Sequence, residues 1–296
     1  MVGISFCFRK AEAYYVPIPA YKSEALKIVQ EFKQVLENQA IGKIGQNLKY
    51  DIMVLQSYEI KVKGKFFDTM LAHYLLEPDQ RHNMDSLSEN YLNYSPISIE
   101  ELIGKKGKNQ LNMRQIAVSE VAKYACEDAD VTWQLKEVFE AKIKETKIEK
   151  LFEDVEIPLL EVLAQVERNG VKIDESALKI FSKELETDLG VIEQEIYLLA
   201  GQMFNISSPK QMGEILFEKL KIGDKTDKKL KKTKTGQYST GEEVLADLEE
   251  EHEIVRKILE FRELQKLKST YVDSFPELVS PKDGLIHTSY NQAVAA

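Results

Sequence analysis

The stretch that decides the fold is Ile41-Gly42-Lys43-Ile44-Gly45-Gln46-Asn47-Leu48-Lys49-Tyr50-Asp51. Its first five residues predict a short β-strand, and Asn47 is a good N-cap for a helix from Leu48 to about Ser57. A strand that runs directly into a helix is typical of an α/β fold, in which helices cover a sheet. Asp51 then lies near the end of that sheet, where open α/β folds build their sites.

Further strands and helices are predicted on both sides of this stretch. Val2–Phe8 and Ala13–Ile18 predict a β-hairpin, and Ala25–Leu36 has the apolar spacing of an amphipathic helix. Downstream, the pattern predicts helices over Phe66–Leu76 and Val118–Lys144. We therefore expect an α/β domain over residues 1–148.

From residue 149 the pattern changes to helix after helix. The predicted elements are a helix over Leu151–Asn169 with a kink at Pro158, helices over Asp174–Ala200, Ser208–Leu220 and Glu253–Tyr271, and a final strand over His287–Tyr290. We therefore expect a second, mostly α-helical domain over residues 149–296.

Composition excludes several classes of protein. The chain has 296 residues, of which 43% are hydrophobic and 30% are charged, so it can fill a core and is not disordered throughout. No apolar run approaches the roughly 20 residues that cross a bilayer, and the N-terminus becomes charged too early for a secretory signal. Two cysteines cannot form a disulfide framework, which favours a cytoplasmic location without membrane contact.

The net charge of −9 by itself argues against binding to nucleic acid, but the charge is unevenly distributed. Residues 219–234 contain eight lysines: Lys219, Lys221, Lys225, Lys228, Lys229, Lys231, Lys232 and Lys234. This lysine cluster is either a solvated loop, the simpler interpretation, or a surface that follows a phosphate backbone.

Two groups of residues can carry chemistry. Asp51 is either a helix-start carboxylate placed for the helix dipole or part of a site. Tyr124 and Asp128 lie four residues apart on one helix face, where a phenol and a carboxylate can orient a water beside a hard cation. Position alone favours the simpler interpretation for each group: a carboxylate placed for the helix dipole at Asp51, and a solvated helix face with a packed tyrosine at its edge for Tyr124 and Asp128.

Together, Asn47–Asp51 and Tyr124–Asp130 closely resemble the second and third motifs of the proofreading 3′→5′ exonuclease domain of bacterial family A DNA polymerases. The resemblance extends through the chain in one order. It includes Phe67–Leu71, Met84–Leu87, Gly107–Leu111, Val166–Val171, Phe204–Gln211, Leu267–Tyr271 and His287–Tyr290.

The resemblance implies a ribonuclease H-like α/β exonuclease domain that uses two divalent metals, Mg²⁺ or Mn²⁺, to cut a terminal phosphodiester. It assigns Asp51 and Asp128 as metal-site carboxylates and Tyr124 as the residue that orients the attacking water. Asn47 and Tyr50 would lie near the frayed single-stranded 3′ end.

In the second domain the resemblance implies a helical thumb that grips the primer–template DNA duplex through its phosphates. The residues it assigns to this contact are Asn205, Ser208, Lys210, Arg262, Lys266 and Lys268. The lysine cluster would then be a flexible thumb tip that follows the backbone without reading sequence.

The sequence departs from the family pattern at both ends. An Asp-x-Glu strand, central in the family's sheet, should precede Val2, and the polymerase motifs should lie beyond Ala296. We therefore expect an internal fragment that does not synthesise DNA, holds metal ions weakly and has little or no exonuclease activity. Deoxynucleotides would be partners of the parent protein only.

The missing strand has consequences for assembly. We expect the Val2–Phe8 and Ile41–Gly45 strands to pair directly across the gap. The other outcomes are a dimer that fills the gap with a second chain, and loose packing of the first ~50 residues. Otherwise a monomer is expected.

Two other functions stay open. One is a catalytically inactive exonuclease-like scaffold whose thumb only binds duplex DNA. The other is a stand-alone RNA-trimming exonuclease of the same superfold, which the thumb-like second half argues against.

Overall fold

The computed structural model describes residues 1–222 and 236–294, which form two compact units. The first unit is Met1–Gly170 together with the segment from Thr288 onward, and the second is Val171–His287. Six members of the lysine cluster, from Lys225 to Lys234, lie outside the described residues. Among the described residues, no helix has the length and apolarity needed to cross a membrane.

The first unit contains two separate two-stranded sheets. Strands β1 (Gly3–Arg9) and β2 (Glu12–Pro17) form an antiparallel hairpin, which confirms the prediction for this region. Strands β3 (Lys43–Gly45) and β4 (Phe66–Asp68) are parallel, with Ile44 opposite Phe67.

Helices surround these strands. They are α1 (Lys22–Glu31), α2 (Lys33–Leu36), α3 (Leu48–Gln56), α4 (Thr69–Leu76), α5 (Met84–Leu92), α6 (Ile99–Ile103), a 3₁₀ turn (Met113–Gln115), α7 (Val118–Thr146), α8 (Glu149–Leu151), a π-helical segment (Phe152–Glu156) and α9 (Ile157–Asn169).

Helix α7 organises the core of the first unit. Its buried residues Val131, Leu135, Phe139 and Ile143 recur every four positions, so they form one face of the helix. The helix packs against β1, β2 and β3, and also against α4 and α5. It therefore supports both sheets at once.

The expectation that β1 and β3 pair directly was wrong. Among the described residues, β1 is bonded to β2 and β3 to β4, and the two pairs remain separate sheets. Strand β3 has only three residues, so direct pairing would add few hydrogen bonds. Packing on α7 supports both pairs through burial of apolar side chains instead.

The predicted helix over Phe66–Leu76 also needs correction, because its first three residues form β4. Asp68 ends the strand and caps α4, since its side chain accepts from the N–H of Met70 (2.8 Å) and of Leu71 (3.1 Å). An aspartate that bonds two such N–H groups starts a helix at the next residue.

The predicted kink near Pro158 is a π-helical segment that ends at Glu156. Proline has no N–H to donate one turn back, so the helix widens just before it. Gly170 ends α9 with φ +71°, as expected of a helix C-terminus.

In the structure residues 149–169 belong to the first unit. The boundary at residue 148 between functional domains stays a prediction.

The second unit is mainly helical. It contains α10 (Glu175–Ala200), α11 (Pro209–Gly213), a π-helical segment (Glu214–Lys219), α12 (Glu242–Ala246), α13 (Glu253–Lys266), a second π-helical segment (Leu267–Val272) and a 3₁₀ turn (Phe275–Leu278). Helices α10 and α13 pack together, and Ile196, Leu216 and Ile258 are fully buried in the core of this unit.

The predicted strand over His287–Tyr290 was wrong. In the described part of the chain, only an isolated bridge between Val171 and Ile286 forms there. From Thr288 the chain belongs to the first unit, where the N–H and C=O of Tyr290 bond to the side chains of Glu167 and Lys49. These backbone groups are therefore not available to a β-ladder.

Candidate nucleic-acid and metal site

The first turn of α3 is shaped by Asp68 and not by the predicted cap. Asn47 occupies the N-cap position, but its side chain makes no capping bond and its backbone is left-handed, with φ +62°. The Asp68 carboxylate accepts instead from the N–H of Leu48 (2.6 Å) and of Asn47 (3.4 Å). Asparagine tolerates this backbone conformation better than most residues do.

Asp68 thus holds the starts of two helices. It is 1% exposed and accepts four backbone N–H groups, two at α3 and two at α4. Burial raises the pKa of Asp68, and these four hydrogen bonds oppose that rise. The sequence interpretation missed this residue, although an aspartate between an apolar strand and an apolar helix was a usable signal.

Asp51 lies in the first turn of α3. It keeps a solvent-accessible edge, but the surrounding protein removes much of its hydration. This loss of solvation and, second, the nearby charge of Asp68 raise the pKa of Asp51 to about 7. A bound cation or an added proton would relieve the unfavourable charge.

Tyr124 and Asp128 are joined on α7 as their spacing predicts. The Tyr124 hydroxyl and the Asp128 carboxylate interact, because each contributes to the pKa of the other. Burial raises the pKa of Asp128 to about 7, and the charges of Glu127 and Asp85 add to the rise while the interaction with Tyr124 opposes it. Burial, followed by the charge of Asp128, raises the pKa of the Tyr124 phenol.

The structure assembles these residues only in part. Asp51 is influenced by Asp68, and Asp128 by its predicted partner Tyr124. Glu127 and Asp85, which the sequence interpretation did not assign to the site, also act on Asp128. Among the described residues, no group of three or more His, Cys, Asp or Glu side chains is placed to hold a metal ion. The oxygen donors are of the type that Mg²⁺ prefers, but the described set does not fit a tightly held ion.

Tyr50 on α3 and Asn47 at its N-cap have exposed side chains that can contact a ligand. The Tyr50 ring is 64% exposed, and Asn47 is exposed as well. The described structure thus places an aromatic ring and an amide beside Asp51, one turn from the start of the helix.

In the second unit, Asn205, Ser208 and Lys210 belong to one short turn that starts α11. Ser208 caps the helix through the N–H of Gln211 (3.4 Å), while Asn205 accepts from the N–H of Ser207 (2.9 Å). Lys210 is exposed, with Glu214 at 4.0 Å. The polar groups of this turn are therefore mostly used within the turn, and Lys210 remains accessible.

A cleft of about 260 Å³ lies beside this turn, and its lining includes Ser207, Arg262 and Lys266. Arg262 is only half-exposed and donates to the Thr240 carbonyl at 2.5 Å and to Met212 Sδ at 3.0 Å. Burial lowers its pKa. Lys266 is exposed, so of these two cations Lys266 is the more accessible to a phosphate.

Lys268 is not part of the cleft lining. Its ammonium group donates to Asp273 at 2.8 Å and to Ser182 at 3.0 Å, and its side chain is only 16% exposed. Contact with DNA would have to compete with this ion pair.

Comparison with known proteins matches two successive segments of the chain. Residues 1–144 match the family model described as 3′-5′ exonuclease, and residues 175–296 match that of DNA polymerase family A. DNA polymerase I of Pseudomonas aeruginosa is 44% identical over 307 residues, which cover all of this chain and 33% of the relative. DNA polymerase I of Borreliella burgdorferi is 39% identical over 300 residues, which cover 100% of this chain and 32% of the relative.

A solved structure described as the POL domain of Pol1 from M. smegmatis, in complex with DNA primer-template and dNTP, shares the fold with a TM-score of 0.73. It is 24% identical, and the match covers 96% of this chain and 45% of that chain. The chain spans about a third of the length of the curated relatives. The two family matches and these relatives show that the chain belongs to the family A DNA polymerases, with a 3′-5′ exonuclease segment followed by a polymerase family A segment.

Proposed function

We propose that this chain holds the primer-template duplex and the 3′ single strand in a DNA polymerase I. The parent is a DNA-directed DNA polymerase of DNA replication and repair, with a 3′→5′ proofreading site between α3 and α7 of a ribonuclease H-like unit. The observation that carries the proposal is the Tyr124–Asp128 pair on one face of α7, in the segment that matches an exonuclease model.

The residues of this site have distinct roles. The Tyr124 hydroxyl, whose raised pKa keeps it protonated, interacts with Asp128 and orients a water molecule. Asp51 and Asp128 supply negative charge, and Mg²⁺ or Mn²⁺ would be held through their oxygens in the parent protein. Because the described donor set does not fit a tightly held ion, we derive no step through the metal.

The frayed strand would lie against α3. An exposed aromatic ring offers a platform for a base, and stacking of this kind contributes about 1–3 kcal/mol per base. Tyr50 is such a ring, and Asn47 next to it can donate to a base or phosphate.

The duplex would be gripped by the second unit through its phosphates. Lys266 and Lys210 are the accessible cations among the assigned residues, while Arg262 and Lys268 also bond within the protein. Phosphate contacts of this type do not distinguish sequences and weaken as salt neutralises the backbone.

The test of the exonuclease assignment uses a 3′-labelled single-stranded oligonucleotide with Mg²⁺ or Mn²⁺. We expect slow or no release of 3′ nucleotides, and any release should disappear in Asp128→Asn but persist in Glu120→Gln, an exposed acid on the same helix. Cleavage that survives Asp128→Asn would contradict the assignment of Asp128.

The alternative is an inactive exonuclease-like scaffold with a thumb that only binds duplex DNA. It is favoured by the lack of a three-ligand group among the described residues. Salt-dependent duplex binding without any Asp128-dependent cleavage would establish this alternative, and absence of duplex binding would exclude both functions.

A further inference from the structure

Three segments of the first unit meet at Lys49, on the first turn of α3. The Lys49 ammonium donates to the Glu167 carboxylate on α9 and to the carbonyl of Tyr290. The same Glu167 oxygen, Oε1, accepts the N–H of Tyr290 at 2.7 Å. Each of the three groups therefore bonds to the other two.

The contact among Lys49, Glu167 and Tyr290 is buried, and further hydrogen bonds nearby support it. The side chain of Lys49 is 13% exposed and that of Glu167 is 4% exposed. Two residues further along, the Gln292 amide donates to the carbonyl (2.8 Å) and the carboxylate (2.7 Å) of Glu156, and Ala293 belongs to the core of the first unit. Residues 288–294 are thus seated along α9 and its π-helical start.

We propose that Lys49 and Glu167 are positioning residues that couple the seating of residues 288–294 to the first turn of α3. What that turn binds rests on the proposed function, but the coupling itself does not. Lys49 belongs to the segment that matches an exonuclease model, and Tyr290 to the one that matches a polymerase model. The coupling therefore joins the two matched segments within one compact unit.

The geometry supports a positioning role in two ways. Tyr290 takes part through its backbone N–H and C=O, so the contact depends on the path of the chain and not on the Tyr290 side chain. Lys49 also lies between Asn47 and Asp51, while Asp68 holds the other side of the same turn through the N–H of Leu48. Loss of the Lys49 contact leaves Asp68 as the other polar anchor of this turn.

Hydrogen exchange on the full chain tests the coupling directly. In Lys49→Met and in Glu167→Gln, we expect amides of residues 48–51 and of residues 288–292 to exchange faster together, on the order of tenfold or more, because the remaining buried group loses its charged partner. Lys49→Arg, which keeps the charge and the donors, should restore protection. Lys65→Met breaks an exposed pair with Glu153 and should change neither segment.

The double variant Lys49→Met/Glu167→Gln separates positioning from simple stabilisation. Removal of both charges should restore much of the stability lost in the single variants, yet both segments should still exchange fast, because the link between them is gone. Faster exchange in only one of the two segments, in any of these variants, would overturn the coupling.

Binding of a fluorescent single-stranded oligonucleotide gives the functional readout. It should weaken several-fold in Lys49→Met and Glu167→Gln but not in Lys65→Met. A wild-type chain that does not bind the oligonucleotide would contradict the proposed function, and the exchange experiment would still decide the coupling. If all variants bound the oligonucleotide with wild-type affinity although hydrogen exchange rose in both segments, the proposal that these residues position α3 for its ligand would be overturned.

Discussion

At the scale of single residues, the carboxylate of Asp68 sets the local geometry around Asp51. It satisfies N–H groups at the starts of α3 and α4, which would otherwise be left without partners in the interior. The same charge lies close enough to Asp51 to raise the pKa of that group. One buried side chain thus determines both the position and the electrostatics of its neighbour.

Asp68→Ala should destabilise the first unit strongly. Four N–H groups lose their acceptor, and leaving one buried group without a partner costs about 1–3 kcal/mol, so we expect a loss of several kcal/mol. Asp174→Ala is the matched control, because the exposed Asp174 caps α10 through two N–H groups and an ordinary cap is worth about 1 kcal/mol. Urea denaturation of both variants checks this. Equal losses would contradict the special role of Asp68.

His73, His82 and Tyr91 form a second local network. His73 Nε2 lies 3.1 Å from the Tyr91 hydroxyl, and His73 Nδ1 lies 2.7 Å from His82 Nδ1. Burial and, second, His82 lower the pKa of His73 to about 4.

This network predicts a loss of stability in acid. Below a pH of about 6.5 an unfolded histidine takes up a proton, whereas folded His73 stays neutral down to about pH 4. The free energy of unfolding should therefore fall as the pH drops through this window, and His73 should account for roughly 2–3 kcal/mol of that fall. Denaturation of the wild type and of His73→Phe across this range measures the difference. Nitrogen NMR at pH 6 should show a neutral His73 imidazole, and a charged imidazole there would contradict the prediction.

At the scale of elements, α13 and the π-helical segment after it carry three cations with different surroundings. Arg262 faces inward to Thr240 and Met212, Lys268 is paired with Asp273, and Lys266 is exposed beside the cleft. The helical spacing of Arg262 and Lys266 places both on the cleft wall, but only packing decides which one is accessible.

Substitution of these three cations should separate binding from stability. Lys266→Ala should weaken duplex binding for all sequences alike, lower the salt slope by about one and leave the stability nearly unchanged. Arg262→Ala should weaken binding and also destabilise the second unit, because the Thr240 carbonyl loses its donor. Of the three substitutions, Lys268→Ala should weaken duplex binding least. Fluorescence anisotropy with two duplexes at several salt concentrations tests this, and a sequence-dependent loss would argue against phosphate contacts.

At the scale of the whole molecule, each compact unit has its own core. The first is centred on Leu135 and Phe139 of α7, and the second includes Leu216 and Ile258. A unit with a separate core can open on its own, so each unit has its own free energy of unfolding.

Core truncations should therefore act within one unit. Leu135→Ala and Ile258→Ala each remove a fully buried side chain and should cost about 2–5 kcal/mol. Hydrogen exchange should show faster opening of the first unit in Leu135→Ala and of the second in Ile258→Ala. Uniform acceleration over the whole chain in either variant would mean that the two units unfold as one.

The sequence by itself determined the long helices and the family, since helical periodicity, caps and short motifs depend on residues close together in the chain. Val118–Thr146 and Glu175–Ala200 were predictable for this reason, as was the shared face of Tyr124 and Asp128. Tertiary structure alone decided that β1 and β3 remain apart, that Asp68 caps two helices and that Arg262 turns inward. Lys49 and Tyr290 are 241 positions apart, and such contacts follow from how distant segments pack within the first unit, which no local pattern encodes.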